Sequence, residues 1–166
     1  MKYIQLWEKQ SMSDSVYLNI GELYATNKSM VLTCYGLGSC VGLFLYDRLN
    51  KISGGAHIML SGQKKDNLSA THFAQGAIEE LLRRMKSLGS DLAMLRAKII
   101  GGAEVMDIKT IHIGKNNIEE VRNSLIRNKI YIAASDVGGT ISRTGKFYTD
   151  SGNLLVSTSE YKEYYL

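Results

Sequence analysis

Two residues stand out for the chemistry they could do together, Cys40 and His57. A thiol becomes a good nucleophile as its thiolate, which needs a neighbouring base, a helix N-terminus or a set of backbone N–H dipoles. Cys40 ends the string Gly36-Leu-Gly-Ser-Cys40. Glycines at 36 and 38 permit a sharp turn with positive φ. Such a turn aims successive N–H groups at one point, where they can hold the oxyanion of a tetrahedral intermediate. Gly38 and Ser39 are therefore the candidate oxyanion and substrate-binding residues. A free cysteine is also among the most buried residue types, so the string alone is weak evidence and reads more readily as a core cysteine after a tight turn. Cys34, inside the apolar run 30–35, fits that blander reading better than Cys40 does.

His57 lies in Gly54-Gly-Ala-His-Ile-Met-Leu60, flanked by apolar residues. It is either a satisfied core histidine or a base. If Cys40 starts one strand, a turn falls at 47–50 and His57 lies on the returning strand, an antiparallel pair sets the two across from each other. His72, at a helix start, and His112 read as surface or capping residues. No Cys/His spacing resembles a zinc site, and no metal or organic cofactor is expected. Gly101-Gly102 and Asp136-Val-Gly-Gly139 match no phosphate-loop fingerprint and read as tight turns.

The elements that must position these residues follow from periodicity. Strands are expected at 30–35, 41–46 and 51–60, the last marked by Gly54-Gly55 as a bulge or a close approach. Phe73, Ala77, Leu81, Met85 and Leu88 repeat at helical spacing, with Ser69 or Thr71 as cap and Gly89 as stop. A short strand is expected at 97–100. A second helix is expected at 118–128, with Asn117 as N-cap and Glu120 three places on. A strand at 130–134 follows, then a hairpin of 140–149 with 154–158. Strands and helices do not alternate strictly, so the class is α+β with a mixed sheet. One domain is expected over 1–166, with 1–15 a loosely ordered leader.

The chain is 45% hydrophobic and 22% charged, the composition of a globular protein. Its net charge of +4 is dispersed, without the dense basic stripe of a nucleic-acid binder. No apolar run is long enough to cross a bilayer and no signal-peptide core is visible. A cytoplasmic location without membrane insertion is the expectation. Two cysteines, 34 and 40, are too few for a disulfide scaffold.

Taken in order, the motifs resemble those of the chemoreceptor glutamine deamidases, the CheD family. The resemblance runs from about Tyr24 to Val156. Its pieces are Gly36-Leu-Gly-Ser-Cys-Val41, Ala56-His-Ile-Met-Leu60, Phe73-Ala74, Ala97-Lys-Ile-Ile-Gly-Gly-Ala103 with Met106, Ile113-Gly114 with Asn117, and Asp136-Val-Gly-Gly139 with Arg143. It implies a mixed β-sandwich flanked by helices, cysteine-hydrolase-like, with Cys40 as nucleophile and His57 as base. It implies hydrolysis of glutamine side chains on the cytoplasmic helices of methyl-accepting chemotaxis receptors, with methylesterase activity in some members. CheC, a phosphatase, is an implied partner. The family's third catalytic residue is a threonine six positions before the cysteine. Here that position holds Cys34, while Thr33 stands one step earlier and reaches the same face only if the strand is bulged. Ser61 stands where the family often has proline. The competing reading is a weakly active regulatory protein that docks on CheC or on receptors. A third is a structural domain with an inert cysteine.

Overall fold

Alternation along the central strands sorts the side chains into two cores. The computed structural model describes residues 14–62, 67–105 and 112–166. Most of the expected leader, and Met106, lie outside them. In β4 (Val41–Asp47), Val41, Leu43 and Leu45 belong to one buried cluster and Phe44 to the other. A strand buried on both faces is the middle of a layered structure.

Among the described residues, ten strands and two α-helices follow in order. They are β1 (Asp14–Tyr17), β2 (Leu23–Thr26), β3 (Met30–Leu37), β4, β5 (Ile52–Ile58), α1 (Ala74–Ser87), β6 (Arg96–Gly101), α2 (Ile113–Arg127), β7 (Tyr131–Val137), β8 (Arg143–Tyr148), β9 (Leu154–Thr158) and β10 (Glu163–Tyr165). They form two five-stranded sheets, β1-β3-β8-β9-β10 and β2-β5-β4-β6-β7. The β1–β3 and β6–β7 pairs are parallel and the others antiparallel. The fold is thus α+β with two mixed sheets, as expected. Both helices pack on one face of the second sheet, through Ala77, Leu81, Val121 and Leu125 against Leu43, Leu45 and Ile99. The first sheet covers the other face, where Leu32, Phe147 and Val156 meet Phe44 and Ile100.

Three local expectations are revised or narrowed. Gly54 and Gly55 make no bulge: β5 pairs with β4 in continuous register from Ile52 to Ile58. The glycines serve close approach instead, since a Cβ at Gly54 would lie 2.7 Å from Leu81 Cδ1 and one at Gly55 3.0 Å from Leu18 Cδ1. Helix α1 has Phe73 at its N-cap without a side-chain cap, so neither Ser69 nor Thr71 caps it. Helix α2 begins at Ile113, which places Asn117 in its interior rather than at its cap. Strands β1 and β10 are short edge strands whose sequences carry no strong period. Gly89, at φ +100°, ends the α1 segment as its position predicts.

Candidate active site

The turn after β3 is built to fix carbonyls and release amides. The β3–β8 register shifts between Cys34 and Leu37, an extra residue on β3, with Gly36 at φ +59°. The chain then bends through Gly38, Ser39 and Cys40, all half-buried. Each of the three carbonyl oxygens accepts a hydrogen bond. Gly38 O accepts from Ala103 N at 2.7 Å and Cys40 O from Gly102 N at 2.7 Å. Ser39 O accepts from Asn117 Nδ2 at 2.8 Å. In a trans peptide the N–H points opposite to the C=O. Holding the Gly38 and Ser39 carbonyls therefore turns the Ser39 and Cys40 N–H groups the other way, and neither donates to any described residue. The segment supplying two of these donors needs glycine, because a Cβ at Gly101 (φ +97°) would collide with Cys40 O.

His57 pairs directly with Gly42 in the β4–β5 ladder, which puts both on the face turned toward the first sheet. Cys40, two residues before Gly42, packs against the buried cluster on that same face. The cysteine and the histidine are thus diagonal neighbours across the pair, within reach of a long side chain. Gly42 lets the core pack closely beside them; a Cβ there would lie 2.9 Å from Leu37 Cδ1 and 3.5 Å from Cys34 Cβ.

The His57 ring is buried, and its Nδ1 lies 2.9 Å from Leu18 O. A carbonyl oxygen only accepts, so Nδ1 carries the proton and the neutral ring keeps its lone pair on Nε2. Leu18 is itself held by main-chain bonds, its N–H donating to Thr33 O at 2.8 Å. His57 N donates to Glu22 O and Gly21 N to His57 O, which straps the segment after β1 along β5. Burial lowers the His57 pKa from its usual value, while the bond to Leu18 and the charge of Glu22 pull it partly back. Burial also raises the Cys40 thiol. Both groups are therefore biased to their neutral forms at rest, an arrangement suited to a base that takes the thiol proton as attack begins.

Cys34 and Thr33 face opposite ways. The bulge lies beyond Cys34, and the pairs Thr33↔Lys146 and Cys34↔Gly145 keep one register. Cys34 points between the sheets, with Leu32 and Leu37, and is fully buried. Its Sγ donates to Ala56 O at 3.9 Å, a long contact to the main chain next to His57. Burial, and to a lesser extent the neighbouring Cys40, push the Cys34 thiol far above its usual range. Thr33 contributes its carbonyl to Leu18 rather than a hydroxyl to the ring. Sequence reasoning missed Leu18, whose contribution is a backbone atom. It also misread Asn117, which looked like a helix cap.

A family model described as CheD chemotactic sensory transduction matches residues 59–158. The chain belongs to the CheD family. Among CheD relatives, "Probable chemoreceptor glutamine deamidase CheD" of Archaeoglobus fulgidus is 36% identical over 151 residues, covering 89% of this chain and 96% of the relative. "Chemoreceptor glutamine deamidase CheD" of Halalkalibacterium halodurans is 34% identical, with 89% and 95% covered. The Thermotoga maritima protein of that name is 35% identical, with 84% and 88% covered. The stretch matched by the CheD model begins at Met59, after Cys40 and His57, so the reading of these two residues rests on the geometry just described.

Proposed function

We propose that this CheD-family chain is a protein-glutamine deamidase acting on the cytoplasmic helices of chemotaxis receptors, with Cys40 as nucleophile and His57 as base. The observation that carries the reading is the commitment of His57 Nδ1 to Leu18 O, which leaves Nε2 as the proton acceptor on the face shared with Cys40. The names of the CheD relatives supply the substrate class.

In this reading His57 Nε2 takes the Cys40 proton and the thiolate attacks the glutamine carboxamide carbon. The oxyanion forms against the Ser39 and Cys40 N–H groups. The imidazolium returns the proton to the nitrogen, the C–N bond breaks and ammonia leaves a thioester. Water, giving a proton to His57, attacks the thioester; the C–S bond breaks and glutamate and the Cys40 thiol are restored. A glutamyl methyl ester would follow the same path with methanol as the leaving group, which accounts for methylesterase activity at one site. The Leu18 carbonyl takes the orienting role, and Cys34 fills the third position as a neutral, packed thiol. Receptor helices and CheC would dock around the Cys40 turn, in the cytoplasm. A second reading, a weakly active regulatory binder, is favoured by one observation, the burial that raises the Cys40 thiol.

The test is mass spectrometry of a purified chemoreceptor cytoplasmic fragment incubated with the protein. The expected result is the small mass gain of amide-to-acid conversion with wild type and none with Cys40→Ala. Stoichiometric binding without any mass gain would select the regulatory reading instead.

A further inference from the structure

One side chain is bonded to both of the segments that carry the reacting pair. Asn117 Nδ2 donates to Ser39 O and to Met59 O, each at 2.8 Å. Ser39 precedes the nucleophile, and Met59 stands two residues after the base. Asn117 is completely buried in the interior of α2, and its Oδ1 has no partner among the described residues. Helix α2 reaches this position through a close contact: a Cβ at Gly114 would collide with Gly102 O and lie 2.7 Å from Gly102 C.

We propose that Asn117 is a positioning residue of the reaction, its carboxamide fixing the Ser39–Cys40 peptide so that the Cys40 N–H faces the developing oxyanion while the end of the His57 strand is held to the same point. This rests on the reading of Cys40 and His57 as the reacting pair. Three observations carry it. Rotating the Ser39–Cys40 peptide would swing the Cys40 N–H out of the turn, and at Ser39 O the anchor opposing that rotation is Asn117. Asparagine is a poor residue for a helix interior, and here it leaves its own Oδ1 without a partner among the described residues, so what it brings to this fully buried place is the donor for the two carbonyls. The two bonds it makes go to the two segments that carry the chemistry. A local rule is broken for stability at a place where the gain lies in the geometry of the turn.

Two reactions of Cys40 separate this role from a merely structural one. Amide hydrolysis needs an oxyanion site, whereas alkylation by iodoacetamide needs the thiolate and no oxyanion donor. Asn117→Ala should lower kcat for ammonia release from a chemoreceptor cytoplasmic fragment by roughly a hundredfold, the scale of one lost oxyanion donor, with KM changed by no more than about threefold. Its iodoacetamide rate, and the pH dependence of that rate, should stay within about threefold of wild type. Turnover near wild type would overturn the proposal. So would alkylation falling in parallel with turnover, because Asn117 would then serve the thiolate or the fold as a whole. If circular dichroism shows that the alanine variant does not fold, Asn117→Ser, which keeps a hydroxyl too short to span both carbonyls, is read the same way. Failure of both variants to fold would make Asn117 a structural residue and end the proposal. Cys40→Ala is measured alongside: residual turnover there would sink the nucleophile assignment, a result distinct from any outcome at Asn117.

Discussion

As the proposed base, His57 can act only while its ring is neutral, and its surroundings extend the pH range over which it is. Burial lowers its pKa, opposed by the Leu18 bond and by the charge of Glu22. The acid limb of kcat/KM should therefore fall below the ordinary imidazole value of about 6.5. Glu22→Gln removes a charge that favours the imidazolium, so the limb should move further down in pH; an upward move in the pH–rate profile would contradict the assignment. His57→Asn should cost turnover by about a hundredfold or more. The neighbours at 33 and 34 should matter less. Thr33→Val leaves the backbone bond from Leu18 N intact and should keep turnover close to wild type. Cys34→Thr places a hydroxyl where a weak S–H stood, beside a ring already oriented, and should change kcat by less than about threefold. Steady-state kinetics on both variants checks this, and a large loss in Thr33→Val would show that its side chain serves the site.

The site is assembled by four elements that meet at the Cys40 turn: the end of β3, the β4–β5 pair, the Gly101–Ala103 segment after β6, and α2. Gly101 is a tight joint, since its φ of +97° disfavours any side chain and a Cβ would strike Cys40 O. Gly101→Ala should lower stability by about 2–4 kcal/mol, combining backbone strain with overpacking. Urea denaturation measures the first effect, and ammonia release should fall as Gly102 N is displaced from Cys40 O. The β4–β5 pair was legible from the sequence, from two apolar runs and the turn at 47–50, but not the register it adopts. That register sets His57 opposite Gly42 rather than Cys40, a diagonal instead of a direct pairing. The early start of α2 was not legible. Ile113-Gly114 looks like a turn until its packing on Gly102 is seen, and Asn117 has the composition of a cap while its long-range partners leave no local period. Strand β1 gains its pairing from β3, sixteen residues further on, and β10 is a three-residue return on β9, too short to show a period of its own.

Across the whole molecule, the two sheets are joined at one end by a polar clasp. Arg143 of β8 donates to both carboxylate oxygens of Asp136 on β7, at 2.7 and 2.8 Å, and to the carbonyls of Gly138 and Ile141. Tyr164 of β10 donates to the same carboxylate. Burial acts to raise the Asp136 pKa, yet the bonds from Arg143 and Tyr164 and the charge of Arg143 leave it lowered. A carboxylate with a lower pKa folded than unfolded adds stability above its unfolded value near 4, and this is lost as pH falls through the folded value. Urea midpoints between neutral pH and pH 3 should therefore drop more steeply in wild type than in Asp136→Asn, and equal slopes would remove the clasp from the account. Arg143→Lys keeps the charge but not the planar fork and should cost about 1–3 kcal/mol. No helix among the described residues is long and apolar enough to cross a membrane.

The atom that orients His57 belongs to a peptide bond, and that has a consequence for heredity as well as for chemistry. No codon change at position 18 removes a carbonyl, so point mutation alone cannot delete this member of the site; it can only move it. Deleting its acceptor strength takes a change of backbone. Replacing Asn19 with the corresponding α-hydroxy acid turns the Leu18 carbonyl into an ester carbonyl, a weaker acceptor, without touching any side chain of the site. Turnover should fall while Cys40 stays in place, with Glu22→Ala, which has no side-chain acceptor, as the control for the Asn19 N–H bond to Glu22 that the ester also loses. An ester protein as active as the amide would mean that the imidazole finds its orientation elsewhere.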